Sequence, residues 1–251
     1  MTNLNPYQSP TVVDPTINPV SAGATITDRF DEKQRSLLLA ALKLVNHGHL
    51  VVMASAILFG LSVAFRTSGP LAADSVNGAI VLFGVGSGLL VKLLGVSAWC
   101  SLSGPEKAFS ILAMTLQVLA MFATGIFVIA TLNGRFVGGL FPLFGASAFA
   151  MLLISQAIIA LVNRSWALSL RDKIGTRSSE LAVIGYAVCA SLCAANSMKM
   201  ISQKGHLTAV VFMTLVAGIT ALVLQMIALH QTHRALKMAN SRDVNFSGPT
   251  E

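Results

Sequence analysis

The chain has 251 residues, of which 54% are hydrophobic and 11% charged, against about 25% charged in an ordinary soluble domain. A mean hydropathy of +0.73 excludes a soluble globule, which has no means of hiding that much apolar surface at this length. The net charge of +7 sits in short connections between apolar runs, the pattern of charge-directed membrane orientation rather than of nucleic-acid binding.

Residues 1–27 carry Pro6, Pro10, Pro15 and Pro19 among small polar residues and are expected to form an extended or disordered tail. No apolar leader precedes the first spanning helix, so that helix is expected to target the chain. Asp28 and Asp31 mark a helix start, followed by the amphipathic run DEKQRSLLLAALKLV. Asn46, His47, Gly48 and His49 interrupt that pattern. The expectation is therefore an interfacial helix leading into a first spanning helix over about 47–65, with the histidines near the headgroups.

The second span covers 78–102, with one charge, Lys92, in 25 residues. Gly84, Gly88, Lys92, Gly95 and Trp99 share one helical face. Small residues at that spacing let another helix come close, so the lysine points into protein. Ser103-Gly104-Pro105-Glu106 reads as a turn with a capping box. Further spans follow over about 107–132, 140–162 (with Pro142 in the first turn), 181–198 and 207–230. Between the fourth and fifth, Trp166, Leu170 and Ile174 fall four apart, which predicts a short surface helix ended by Gly175. A basic helical extension and a polar tail over 239–251 close the chain.

The fold class is thus an all-α membrane protein, a six-helix transmembrane bundle over 28–238 with interfacial amphipathic helices. Twelve lysines and arginines flank one side of it and four the other. That bias puts both termini in the cytoplasm, in the cell membrane, and sets Trp99 and Trp166 at the cytoplasmic interface.

Lys92 is the leading candidate for function. It lies seven residues deeper than Trp99, roughly 10 Å into the hydrocarbon, where a charge costs on the order of 3 kcal/mol without partners. Either it snorkels or makes a structural contact, or it serves a substrate or ion path. Gln117, Gln156, Asn196 and Gln225, each on a different helix, are possible partners. No carboxylate lies inside an apolar run, which weakens a proton- or cation-coupled carrier.

His47 and His49 before the first span, and His230 and His233 after the last, form a second candidate group as ligands for a metal or haem iron. No spaced ligand motif accompanies them, and helices one and six need not touch. Cys189 and Cys193 sit in a small-residue stripe with Gly185 and Ser197, where cysteine acts as a packing residue. No catalytic motif and no internal repeat is present. No catalytic, cofactor or metal residue is therefore assigned, and the chain is not expected to be an enzyme.

Asn5-Pro6-Tyr7-Gln8-Ser9-Pro10 resembles a short amino-terminal tag of planctomycete proteins. Leu93-Leu94-Gly95, with Trp99-Cys100-Ser101-Leu102, Pro105 and the run from Ala108, is similar to a pattern in uncharacterised multi-pass planctomycete membrane proteins. That resemblance implies a bacterial lineage and a six-helix membrane fold, and brings no site residues. The function expected is a non-enzymatic membrane scaffold or accessory protein. Its partners are the lipid bilayer and a membrane protein or second copy held through glycine-rich helix faces. The alternatives are a small-solute or anion permease using Lys92, and a haem or metal-binding membrane protein.

Overall fold

A computed structural model describes residues 29–64, 80–132, 140–199 and 207–246. The proline-containing segment 1–27, the loop expected over Arg66–Asn77 and the turn at Asn133–Arg135 lie outside the described residues, as does the side chain of Asn196. Every element among the described residues is helical. These are α1 (Glu32–Ala64), α2 (Gly86–Cys100, entered through a π-helical turn, Ile80–Val85), α3 (Glu106–Leu132), α4 (Leu140–Ser169), α5 (Lys173–Lys199) and α6 (Leu207–Phe246).

Each helix packs against the next in sequence, α6 returns to α1, and α4 also touches α6. The result is a closed ring. Among the described residues, stretches long and apolar enough to cross a bilayer occur in four helices: Glu32–Ser55, Phe83–Cys100, Glu106–Ile126 and Ser147–Ser169. Large apolar side chains such as Phe83, Leu94, Phe122 and Ile184 are exposed on the outer surface. A water-facing protein avoids such a surface and a lipid-facing one requires it.

Helix α1 is not divided into interfacial and spanning parts. The polar residues at its centre fit a continuous helix because each histidine ring reaches back one turn. Nδ1 of His47 lies 2.7 Å from the Lys43 carbonyl oxygen and Nδ1 of His49 lies 2.8 Å from that of Val45. Its start is a reciprocal cap, with the Gln34 N–H donating to the Asp31 carboxylate at 2.6 Å and the Asp31 N–H donating to Gln34 Oε1 at 3.3 Å.

The surface helix expected around Trp166–Ile174 is absent. The spacing of Trp166 and Leu170 continues the period of α4, which runs on to Ser169. A tight turn follows, with Arg171 at φ 56°. The Asp172 carboxylate then accepts from the N–H groups of Ile174 and Gly175 and starts α5. Gly175 therefore opens a helix instead of ending one. Asn163 donates to Ser179 at 3.0 Å, and Arg164 pairs with Glu180 at 2.8 Å, holding the two arms of the turn together.

The capping box before α3 is also replaced. Helix α3 begins where the sequence predicts, but the Glu106 carboxylate accepts from Arg29 at 2.9 Å and from Ser165 Oγ at 2.7 Å, and so joins three segments.

The start of α1, the turns at 101–105 and 170–172 and the end of α6 all lie at one end of the ring, called here the basic end. The main apolar core sits there, formed by Leu38, Leu42, Val45, Val96, Trp99, Trp166, Leu229 and Leu236 among others. Trp99 and Trp166 meet edge to face, 4.8 Å between ring centres. Both are buried with unpartnered indole N–H groups, so they are core residues, Trp99 on the inward face its spacing predicts. A second core lies between α4, α5 and α6, around Leu153, Ala182, Tyr186, Cys189 and Ala221.

Candidate functional site

The glycine face of α2 packs against α1. A side-chain carbon added at Gly88 would stand 2.9 Å from the Gly48 carbonyl oxygen and from the Val52 nitrogen; one at Gly95 would stand 2.9 Å from the Ala41 carbonyl oxygen. The two backbones touch. Gly48 in turn leaves space for the stem of Lys92, which lies across it. This glycine-lined pair of helices thus carries the buried lysine into the interior of the bundle.

There Lys92, 1% exposed, donates to the side-chain oxygen of Gln156 on α4. Snorkelling is overturned by that burial, since a lysine reaching the headgroups keeps its ammonium in water. Of the possible partners among the described residues, Gln156 is the one that bonds the lysine. Gln225 of α6 belongs to the same cluster, donating to the Gln156 carbonyl oxygen at 3.3 Å. It also accepts from the Tyr186 hydroxyl of α5 and lies 2.8 Å from His49 Nε2 on α1. Gln117 of α3 donates to the Leu89 carbonyl oxygen on α2 at 2.8 Å. Each of the six helices contributes one member of this polar layer.

His49 is therefore not an interfacial residue. It is fully buried, near the middle of α1, and α1 and α6 meet where the sequence alone did not require it. Both its ring nitrogens face oxygens, those of Val45 and Gln225. The neutral ring donates to one of these two oxygens. Turning over the Gln225 amide would offer the neutral ring an N–H, but would set two oxygens against each other at Gln156 and remove the acceptor used by Tyr186.

The layer leaves one donor and one acceptor over. The Gln156 side-chain nitrogen is buried without a partner, and so is the Gln117 side-chain oxygen. No aspartate or glutamate occurs in the flanking apolar runs. The layer can hold positive charge and present N–H groups, and it has no carboxylate to exchange a proton with.

The four candidate histidines do not converge. His49 points inward, His47 is exposed on α1, and His230 and His233 lie further along α6 toward the basic end. His233 is held below the usual imidazole range by burial, and further by its neighbours His230, Lys237 and Lys43. Among the described residues no three His, Cys, Asp or Glu side chains gather as a metal site would need. Cys189 is a packing residue: it is buried, lies 3.6 Å from where a carbon on Gly218 would be, and its thiol donates weakly to the Thr214 carbonyl oxygen at 3.5 Å.

Tyr186 is the member that sequence reasoning missed. The chain has two tyrosines, and one lying inside a span of small residues was the available signal. The glycine faces expected to receive a partner are filled from within, by α1 against α2 and by α6 against α5. No protein-family model, curated protein or solved structure matches the chain.

Proposed function

We propose that this chain is a six-pass protein of the cytoplasmic membrane, termini in the cytoplasm, acting without catalysis as a scaffold or accessory subunit. The observation that carries this reading is the sealed polar layer. Lys92, His49 and Gln225 are at most 1% exposed and are hydrogen-bonded across helices, so these groups tie the ring together instead of lining a path. The excess of twelve basic residues over four supports the cytoplasmic placement of the basic end. A second membrane chain has room to approach at Gly86 and Gly125, where an added side chain meets nothing within 4 Å.

An anion permease draws on one observation, the unpartnered Gln156 amide beside the ammonium. Lys92→Met separates the two. For a scaffold, Lys92→Met removes the bond to Gln156 and lowers heat stability in detergent, while parent vesicles leak chloride and phosphate no faster than protein-free ones. Chloride or phosphate flux by the parent that Lys92→Met abolishes overturns the scaffold reading.

A further inference from the structure

The turn that joins α4 to α5 is closed by its own backbone, with the Arg171 N–H donating to the Leu168 carbonyl oxygen at 3.0 Å and that of Asp172 to Ala167 at 2.8 Å. Arg164–Glu180 and Asn163–Ser179 bridge the two arms, and Trp166 and Ala167 are buried beneath. The tip is a preformed surface. Its outer side chains combine two chemistries. Leu168 and Ile174, one on each arm, are 49% and 58% exposed. Arg171, Lys173 and Arg177 are exposed in the same stretch, and among the described residues none of them has an acidic partner.

Both acids of the stretch 164–180 are engaged, Asp172 with the first N–H groups of α5 and Glu180 with Arg164. Glu106, the acid that α3 brings to α4, is held by Arg29 and Ser165. Charge-directed orientation accounts for the arginines and the lysine, and not for apolar side chains placed among and beyond them. Arg164 and Glu180 are the first charged residues met on leaving the apolar runs of α4 and α5. Leu168 lies four residues past Arg164 and Ile174 six residues before Glu180, so they stand about 6 and 9 Å further out along the helix axes. A headgroup layer is about 6 Å deep. With the ion pair at the hydrocarbon edge, Ile174 stands beyond the headgroups, where exposed large apolar side chains mark a contact surface.

We propose that the α4–α5 tip is the docking surface for an acidic segment of a cytoplasmic protein. The segment's carboxylates meet Arg171, Lys173 and Arg177, and its apolar side chains cover Leu168 and Ile174. The unpaired cations select an acidic partner by charge complementarity, and a guanidinium takes a carboxylate through paired hydrogen bonds. The aliphatic pair supplies the apolar contact that a soluble anion would leave uncovered. This site rests on the reading of the chain as an accessory protein with its basic end in the cytoplasm, and names the kind of partner that end receives.

The probe is a synthetic helical peptide of leucine and glutamate, titrated onto the full chain in phosphatidylcholine nanodiscs and followed by calorimetry. Saturable binding that weakens with salt is expected, with none to empty nanodiscs and none when lysine replaces glutamate in the peptide. The triple variant Arg171→Gln, Lys173→Gln, Arg177→Gln should weaken binding about tenfold and flatten its salt dependence. Ile174→Ser should weaken it by about the same factor and leave the salt dependence as it was. The pair Lys33→Gln, Lys237→Gln, exposed at the same end of the ring, should change neither. No binding, an equal loss in the control pair, or binding in detergent that vanishes in nanodiscs, which puts the tip in lipid, each overturns the site. Should the triple variant fail to fold, Ile174→Ser decides: a loss supports the surface and full affinity overturns it. Chloride and phosphate flux reads the scaffold proposal separately, so the two fail independently.

Discussion

Between α1 and α2 the backbones meet through Gly48, Gly88 and Gly95; between α5 and α6 they approach through Gly185, where an added carbon would stand 2.8 Å from the side chain of Ala221. Both seams follow the rule that helices in lipid associate where small residues let them close. Their contents differ. The first encloses a lysine and a histidine, and the second a thiol and alanines beside the Tyr186–Gln225 hydrogen bond. Close packing excludes lipid and water from both, and it tolerates a charge only where a third helix brings an acceptor, as α4 does with Gln156. The small-residue stripe sets how near two helices come. The neighbour across the ring sets what lies between them.

Three substitutions probe that difference. Gly88→Leu should have the largest effect, because the new side chain meets the backbone of α1 and not a flexible side chain. Overpacking of this kind costs about 3 kcal/mol or more, read as loss of folded protein in a denaturing-detergent titration. A folded, fully stable Gly88→Leu protein would break the claim that the α1–α2 contact is backbone to backbone. Gln225→Leu comes next. It removes contacts to His49, Tyr186 and Gln156, and at about 0.6 kcal/mol for each interhelical hydrogen bond in a membrane the loss should be about 2 kcal/mol. An unchanged midpoint would mean that the polar layer does not tie the helices. Cys189→Ala, in the apolar seam, should stay within about 1 kcal/mol of the parent and leave detergent stability insensitive to thiol reagents. A loss as large as that of Gln225→Leu would erase the distinction between the seams.

Much of this architecture was legible in the amino-acid order, since hydropathy reports length and burial directly. The bounds of α3 and the inward face of Lys92 follow from runs and spacings that need no knowledge of neighbours. What misled was polarity read locally. Asn46-His47-Gly48-His49 looks like a waterline when α1 is taken alone, and becomes interior only because Gln225 waits across the ring. Trp166, Leu170 and Ile174 carry helical spacing, but spacing does not say whether a helix is new or a continuation; the left-handed Arg171 and the cap at Asp172 decide it. Glu106 fits a capping box by position, and an arginine 77 residues earlier takes its carboxylate instead.

The chain has two tryptophans, and they rest on each other. Its ultraviolet emission therefore has a single address, the join of α2 with α4 at the basic end. A red shift would report that this join had loosened and admitted water, while a rearrangement confined to the opposite end would leave the spectrum dark to it. Unaltered protein thus comes with an optical gauge on one end of the ring, ready for use with lipids, partners or heat and needing no attached dye.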